Sequence, residues 1–467
     1  MSMTEALKAE IRKHKNRAFR RAFIKRMQTN GVFESDWVEI TSDVKKFGKI
    51  SQSVDTDQYA RIAFKSNTVV LNNAEGRFTD ENDNRSLWFG YASQQRTLVK
   101  IEAGLETPTR GSDGIWRRGE APGAFWDLSL WDSTDLYDQR SVVFTGIISG
   151  DVMLSSQYEV PITVMPLLEV FRTFPASQLN GFTSSGITAS QFCEILRDQT
   201  DGAGSYVFRP FFNNTTASWN IQTTTSVYAD FNTSTSKFLL NENCWDVLQK
   251  LAEAEDFIAY ISGDGFFYFK DRVSNTTTAA FEFYGLGVPN REFGHTIKKI
   301  SSFGRKYSKY YSRVSVQFKE DNTTTSYHIE ESTLTVSGTN LPWIYGHKTL
   351  EITNFLIATS TVAETIAERV FDNVSALKRE IEFTTPFIPG LNVLDLVKLN
   401  YDPAKALPES LWDLNNWGDT GSASETGALI WDASRGDSFY LNSEEMNLIG
   451  IEMDLDKLEN KFTARET

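Results

Sequence analysis

A chain of 467 residues is long enough for two to four domains, and 40% apolar with 23% charged residues is the composition of an ordinary globular protein. No run approaches the ~18–20 uninterrupted apolar residues of a membrane helix, so no membrane segment is expected. Two cysteines, Cys193 and Cys244, cannot build a disulfide framework and read as buried thiols.

The net charge of −14 conceals an asymmetry. Residues 5–26 hold nine Lys/Arg against Glu5 and Glu10, which makes this stretch +7 and the remainder −21. Leu7, Ile11, Ala18, Ala22, Phe19, Phe23 and Met27 recur at helical spacing, so residues 1–29 predict a basic amphipathic helix or arm. Arg12, Arg17, Arg20 and Arg21 would dock it to an acidic partner or neighbouring subunit; nucleic-acid contact and a solvated arm are the alternatives. The start "MSMTEALKAEIRKHKNRAFRRAF" has no apolar signal-peptide core, which predicts synthesis and folding in the cytosol.

Residues 30–174 read as strands. "DWVEITSDV" and "YARIAFKSNTVVLNN" alternate apolar and polar, "NNAEGRF" (72–78) is a turn, and "RTLVKIEAG" and "SVVFTGIISGDV" are apolar β runs. Between those two runs, 105–140 is rich in Gly, Pro, Asp and Trp and too long for a hairpin loop, as functional or interfacial loops are. Residues 175–300 change pattern. Thr188 and Gln191 form a capping box for a helix over 188–199, and 243–272 predicts a helix followed by two strands around the "SGDG" turn at 262–265. Trp245, Leu248, Leu251 and Ala252 share that helix's apolar face. Residues 301–467 are again mostly β, with one helix at 361–377 that Thr361 and Glu364 would cap, and a second long Trp-bearing loop at 402–445. "EIEFTTPFIPGLNVLDLVKLNYD" reads as two strands around a Pro-Gly turn, and "NLIGIEMDLDKLENKFTARE" as a closing hairpin with Ile449, Ile451 and Met453 on one face.

The two long loops echo one another. Placing Gly146 over Gly450 puts Ile147 on Ile451, Leu154 on Leu458 and Tyr158 on Phe462 without a gap, and Trp126 and Trp431 then lie 20 and 19 residues upstream. This predicts two similar β-barrels. The Trp-Asp pairs at 126, 131, 245, 412 and 431 lack the ~40–45-residue period of a propeller. Trp116, Trp126, Trp131, Trp412, Trp417 and Trp431 are expected to anchor subunit contacts; a sugar-stacking platform and packing within a domain remain open.

Chemistry-bearing patterns are sparse. His14, His295, His328 and His347 have no paired ligand spacing, and no phosphate-binding glycine loop or nucleophile elbow occurs. Asp127, Asp132 and Asp135 read as surface charge. No catalytic residue, cofactor or metal is expected.

The stretches "NNAEGRF", "VVFTGIIS", "NCWDVLQKLAEAEDFIAYISGDGFFYFKDR", "YYSRVSVQF…AERVFDN…PFIPGLNVLDLVKLNYD" and "LIGIEMDLDKLENKFTARE" together resemble the baseplate-hub or tail-hub proteins of tailed bacteriophages. That resemblance implies a mainly β fold with α+β modules, in which two similar β-barrels in one chain have small α/β modules between them. It also implies a structural, non-enzymatic protein of the virion tail tip that assembles as a homotrimer; a distal-tail ring protein and a tail protein that binds or degrades glycans through its Trp loops are the alternatives. Its partners would be distal tail or tube ring proteins, the tape measure protein and a central spike or fibre, and DNA would pass through its channel without specific binding.

Overall fold

Alternating apolar and polar residues write a half-buried strand, and this alternation governs most of the chain in the computed structural model. The structure describes residues 18–466 apart from 55–61, 79–83, 92–95, 107, 111–115, 119–137, 150–157, 181–185, 213–214, 229–241, 272–277, 286–295, 306, 321–322, 331–334, 337–338, 341–345, 358, 376–377 and 402–440. The fold is mainly β, with a curled half-barrel sheet, several other sheets and few helices.

The first part holds β1 (Ala18–Lys25), β2 (Val38–Glu39), β3 (Val44–Lys46), β4 (Lys49–Val54), β5 (Ile62–Phe64), β6 (Asn67–Asn72) and β7 (Leu98–Glu106). The strands β8 (Pro108–Arg110), β9 (Trp116–Arg118), β10 (Asp138–Ile148) and β11 (Glu159–Pro166) follow. Seven of them form one sheet in the order β2-β1-β7-β10-β11-β6-β3. The predicted N-terminal helix is overturned over 18–25. Phe19, Arg21, Phe23 and Lys25 alternate with Arg20, Ala22 and Ile24, and this period of two pairs the segment along β7 from Ala18↔Leu105 to Lys25↔Leu98. Ala22 and Ile24 then enter the core.

The middle part holds β12 (Ile187–Thr188), α1 (Ala189–Asp198), β13 (Trp219–Ile221), β14 (Val227–Tyr228), α2 (Cys244–Ala254), β15 (Phe257–Ile261) and β16 (Phe267–Asp271). The Thr188–Gln191 capping box forms as expected, while Asn243 caps α2 by accepting from Asp246 N. Trp245, Leu248, Leu251 and Ala252 are all buried, and β15 and β16 make the predicted hairpin.

The last part holds β17 (Phe281–Tyr284), β18 (Lys299–Arg305), β19 (Arg313–Glu320), β20 (Thr323–Glu330), β21 (Thr335–Val336), β22 (Thr339–Asn340) and β23 (Thr349–Thr353). It closes with α3 (Ser360–Val374), β24 (Arg379–Pro386), β25 (Leu396–Tyr401), β26 (Leu441–Asp454) and β27 (Glu459–Glu466). A second large sheet runs β17-β25-β26-β27-β24-β18. The cap of α3 lies two residues before the expected one: Thr359 accepts from Val362 N, and Glu364 instead accepts from the Tyr327 hydroxyl at 3.2 Å. This helix falls by sequence within the second barrel's interval. Its Ala363, Ile366, Ala367 and Val370 lie in a core separate from that barrel's own, and the helix packs on β19 and β20.

Two apolar cores result. One runs through both large sheets, from Ala22 and Val99 to Ile451 and Phe462. The other unites α1, α2, the β15–β16 hairpin, β19 and α3, and is rich in rings such as Phe171, Trp219, Trp245 and Phe267. Cys193 and Cys244 are free and buried within it, and burial pushes both thiols up, Cys244 to about 12.

Candidate functional site: a strand clasp between two like sheets

The two sheets share one connectivity. In the first, the consecutive long strands β6, β7, β10 and β11 lie in the order β7-β10-β11-β6; in the second, β24, β25, β26 and β27 lie in the order β25-β26-β27-β24. Every contact in both sets is antiparallel. Each set is therefore the same four-strand arrangement, in which the first strand returns beside the fourth. The Trp-bearing segments also occupy one step in both, between the second and third strands of the set.

The residue-level echo does not survive. Gly146 pairs with Val99 and stands on the core side of its strand, whereas Gly450 pairs with Thr463 and Ser53 on the opposite side. Ile147 consequently packs in the second core and Ile451 in the first. A one-residue slip reverses the face of every side chain, and a bulge at Ile449 supplies such a slip in β26. Leu448 and Met446 before that bulge, and Ile451 and Met453 after it, all reach the core, while Ile449 does not share their face. Tyr158 is 53% exposed and its proposed equivalent Phe462 is fully buried, because Ile147 pairs with Met165 but Ile451 with Phe462.

The sheets are fastened by β4, which leaves the first half directly after β3 and pairs along β26 from Lys49↔Asp454 to Ser53↔Gly450. β25 covers β26 only as far as Asn447, so β4 completes the ladder that this short strand leaves open. The turn into β4 is tightly determined. Asp456 accepts from the backbone N–H groups of Phe47 at 2.9 Å and Gly48 at 3.1 Å, and Leu455 N–H donates to Gly48 O at 3.2 Å. Gly48 has φ +74°, and a Cβ there would collide with Asn67 Oδ1 and Thr68 O. Asn67 Nδ2 holds Phe47 O at 2.9 Å. Lys49 pairs with Glu452 at 2.8 Å, and that hydrogen bond raises its pKa.

Arg20, expected on a docking arm, belongs to this clasp. Its Nη1 donates to Leu455 O, it stands 3.6 Å from Asp456, and its guanidinium lies 4.8 Å from the centre of the Phe47 ring. Arg21, on the other face of β1, lies 5.9 Å over Phe19. Arg12 and Arg17 lie outside the described residues, as do Trp126, Trp131, Trp412, Trp417 and Trp431, and of Trp116 only the backbone in β9 is described. The sequence reading missed Asp456, Gly48 and β4 as a unit. Their partners lie about 400 positions apart in the chain, so no local spacing announces them.

Among the described residues no group of three His, Cys, Asp or Glu side chains could hold a metal ion, and no helix is long and apolar enough to cross a membrane. A cavity of about 20 Å³ lined by Asn354, Ile357, Ile366, Arg369 and Val370 has room for a water molecule but not for a substrate. The arrangement orients two sheets relative to each other.

No family model matches the sequence, and no curated protein matches it. The solved structures it is similar to include phage and prophage tail proteins. They include the tail protein from Neisseria meningitidis MC58, with TM-score 0.48, 9% identity and 96% of both chains aligned. The prophage MuSo2 43 kDa tail protein from Shewanella oneidensis has TM-score 0.42 and 12% identity over 96% of this chain and 98% of its own. The prophage tail protein gp18 from Listeria monocytogenes EGD-e has TM-score 0.44 and 8% identity over 96% and 94%.

Proposed function

We propose that this chain is a non-enzymatic structural subunit of a phage tail tip, the hub ring that joins a six-fold tail tube to a central spike or fibre. The observation that carries this reading is the repeated four-strand connectivity, clasped into one body by β4. A ring of three such chains presents six similar sheets, which is what a three-fold hub needs to meet a six-fold neighbour. A single-sheet subunit in a ring of six, as a distal-tail ring protein would be, has no need of the duplication. The net charge of −14 suits a channel that repels phosphates and lets the tape measure protein and DNA pass without adhering. Distal tail or tube ring proteins and the spike or fibre are the partners in this reading.

Light scattering on the purified chain tests it. Three copies per particle are expected, and a species that stays monomeric at high concentration argues against the hub. Trp126→Ala with Trp131→Ala separates the subunit-contact reading from a sugar platform. Loss of assembly supports the contact reading, whereas loss of glycan binding with assembly intact supports the platform.

A further inference from the structure

The second sheet meets the unit built on α3 through charge rather than apolar packing. Arg465 of β27, 2% exposed, donates from Nη2 to Asn373 O at 2.9 Å in the last turn of α3. Its Nε and Nη1 have no hydrogen-bond partner among the described residues. The nearest carboxylate oxygen, Oε1 of Glu380, stands 4.0 Å from Nε and already accepts from Lys309 Nζ at 2.9 Å. Lys378 lies on the same side, its Nζ 3.3 Å from Asn373 Oδ1. Burial first, and then the charge of Arg465, hold its ammonium below the usual lysine range.

Two cations, Lys309 and Arg465, thus converge on the buried Glu380 carboxylate, and the Lys378 ammonium stands beside them on Asn373. A guanidinium does not deprotonate, so Arg465 cannot shed its charge as a lysine would. A buried guanidinium with unsatisfied donors is costly, and an oxyanion supplies the acceptors that Nε and Nη1 lack. We propose that the notch between β27, β24 and the end of α3 binds a small oxyanion, held by Arg465 and approached past the half-exposed Lys309 and Lys378. Bound there, the anion would fasten the α3 unit to the second sheet.

Thermal unfolding of the full chain in sodium phosphate, sodium acetate and sodium chloride at matched ionic strength tests this. In phosphate, acetate or both, a saturating rise in the midpoint of about 2 °C or more over chloride is expected. Phosphate alone indicates an inorganic oxyanion, and acetate alone a carboxylate source. Oxyanion salts also stabilise proteins without binding, so the variants decide. Lys378→Ala, on the rim, should weaken the apparent affinity at least threefold, and Arg465→Met should abolish the increment; if Arg465→Met fails to fold, Lys378→Ala and Lys309→Ala carry the test. An equal rise in wild type and in both lysine variants, or no rise over chloride, means that the notch holds only water and overturns the proposal.

Discussion

The first and second sheets order their four long strands alike but spend their outer faces differently. Leu98 and Ile147 on the outer face of the first sheet pack into the second apolar core, whereas Arg465 and Glu380 on the outer face of the second meet the α3 unit through charges. The ladder of backbone hydrogen bonds is indifferent to side-chain identity, so a duplicated connectivity can persist while each face diverges to suit its neighbour. The repeat is one of topology, not of residues.

The sharpest way to break this comparison is to treat the echo's paired residues as equivalent. Phe462→Ala should cost about 3–5 kcal/mol, because Phe462 is fully buried with Phe383 and Phe283 within 5.5 Å and 5.4 Å, ring centre to ring centre. Tyr158→Ala should cost less than about 0.5 kcal/mol. Equal costs in denaturant unfolding would restore the ungapped alignment.

The two glycines differ next. A Cβ on Gly146 would collide with the backbone oxygen of Met165, so Gly146→Ala should destabilise by about 1–3 kcal/mol. At Gly450 the nearest atoms are Thr463 Cβ and Oγ1, both at 3.3 Å, and Gly450→Ala should change stability by less than about 1 kcal/mol. Chemical unfolding of the pair reads the difference directly.

The clasp between the sheets comes third. Asp456→Ala leaves the Phe47 and Gly48 N–H groups without their acceptor and removes the partner of Arg20; a loss of about 1–3 kcal/mol is expected. An unchanged unfolding midpoint would show that β4 holds to β26 without its turn.

The smallest effect concerns acid. Burial raises Glu34 and Glu466, but hydrogen bonds from Arg26 and Arg379 outweigh it and leave both carboxyls below the usual 4.5. A carboxyl lowered by folding stabilises the folded state above its unfolded pKa, and that contribution disappears as pH falls through the folded value. The loss therefore belongs below about pH 4.5. Glu34→Gln and Glu466→Gln should each flatten the acid limb of the stability curve by less than about 1 kcal/mol, since both pairs are partly solvated. A sheet whose variant leaves that limb unchanged would lack the proposed ion-pair support.

Much of this architecture is legible in short stretches. The Thr188–Gln191 box, the apolar face of α2, the "SGDG" turn and the closing hairpin are local, each pattern confined to one short stretch. The N-terminal strand was misread because Ala18, Phe19, Ala22 and Phe23 satisfy a helical period as well as an alternating one, and only β7 decides between them. The departure of β4 depends on partners hundreds of residues away, and a β pairing of that range leaves no mark in either strand alone. Arg20 carried the right charge and the wrong role.

Image reconstruction of the assembled particle tests the central claim, that one chain supplies two like sheets to a ring. The account predicts a three-fold ring in which the β7-β10-β11-β6 and β25-β26-β27-β24 sets alternate in six near-equivalent positions about the axis. A ring in which only one of the two sets faces its neighbours, or a particle without three-fold symmetry, would contradict it.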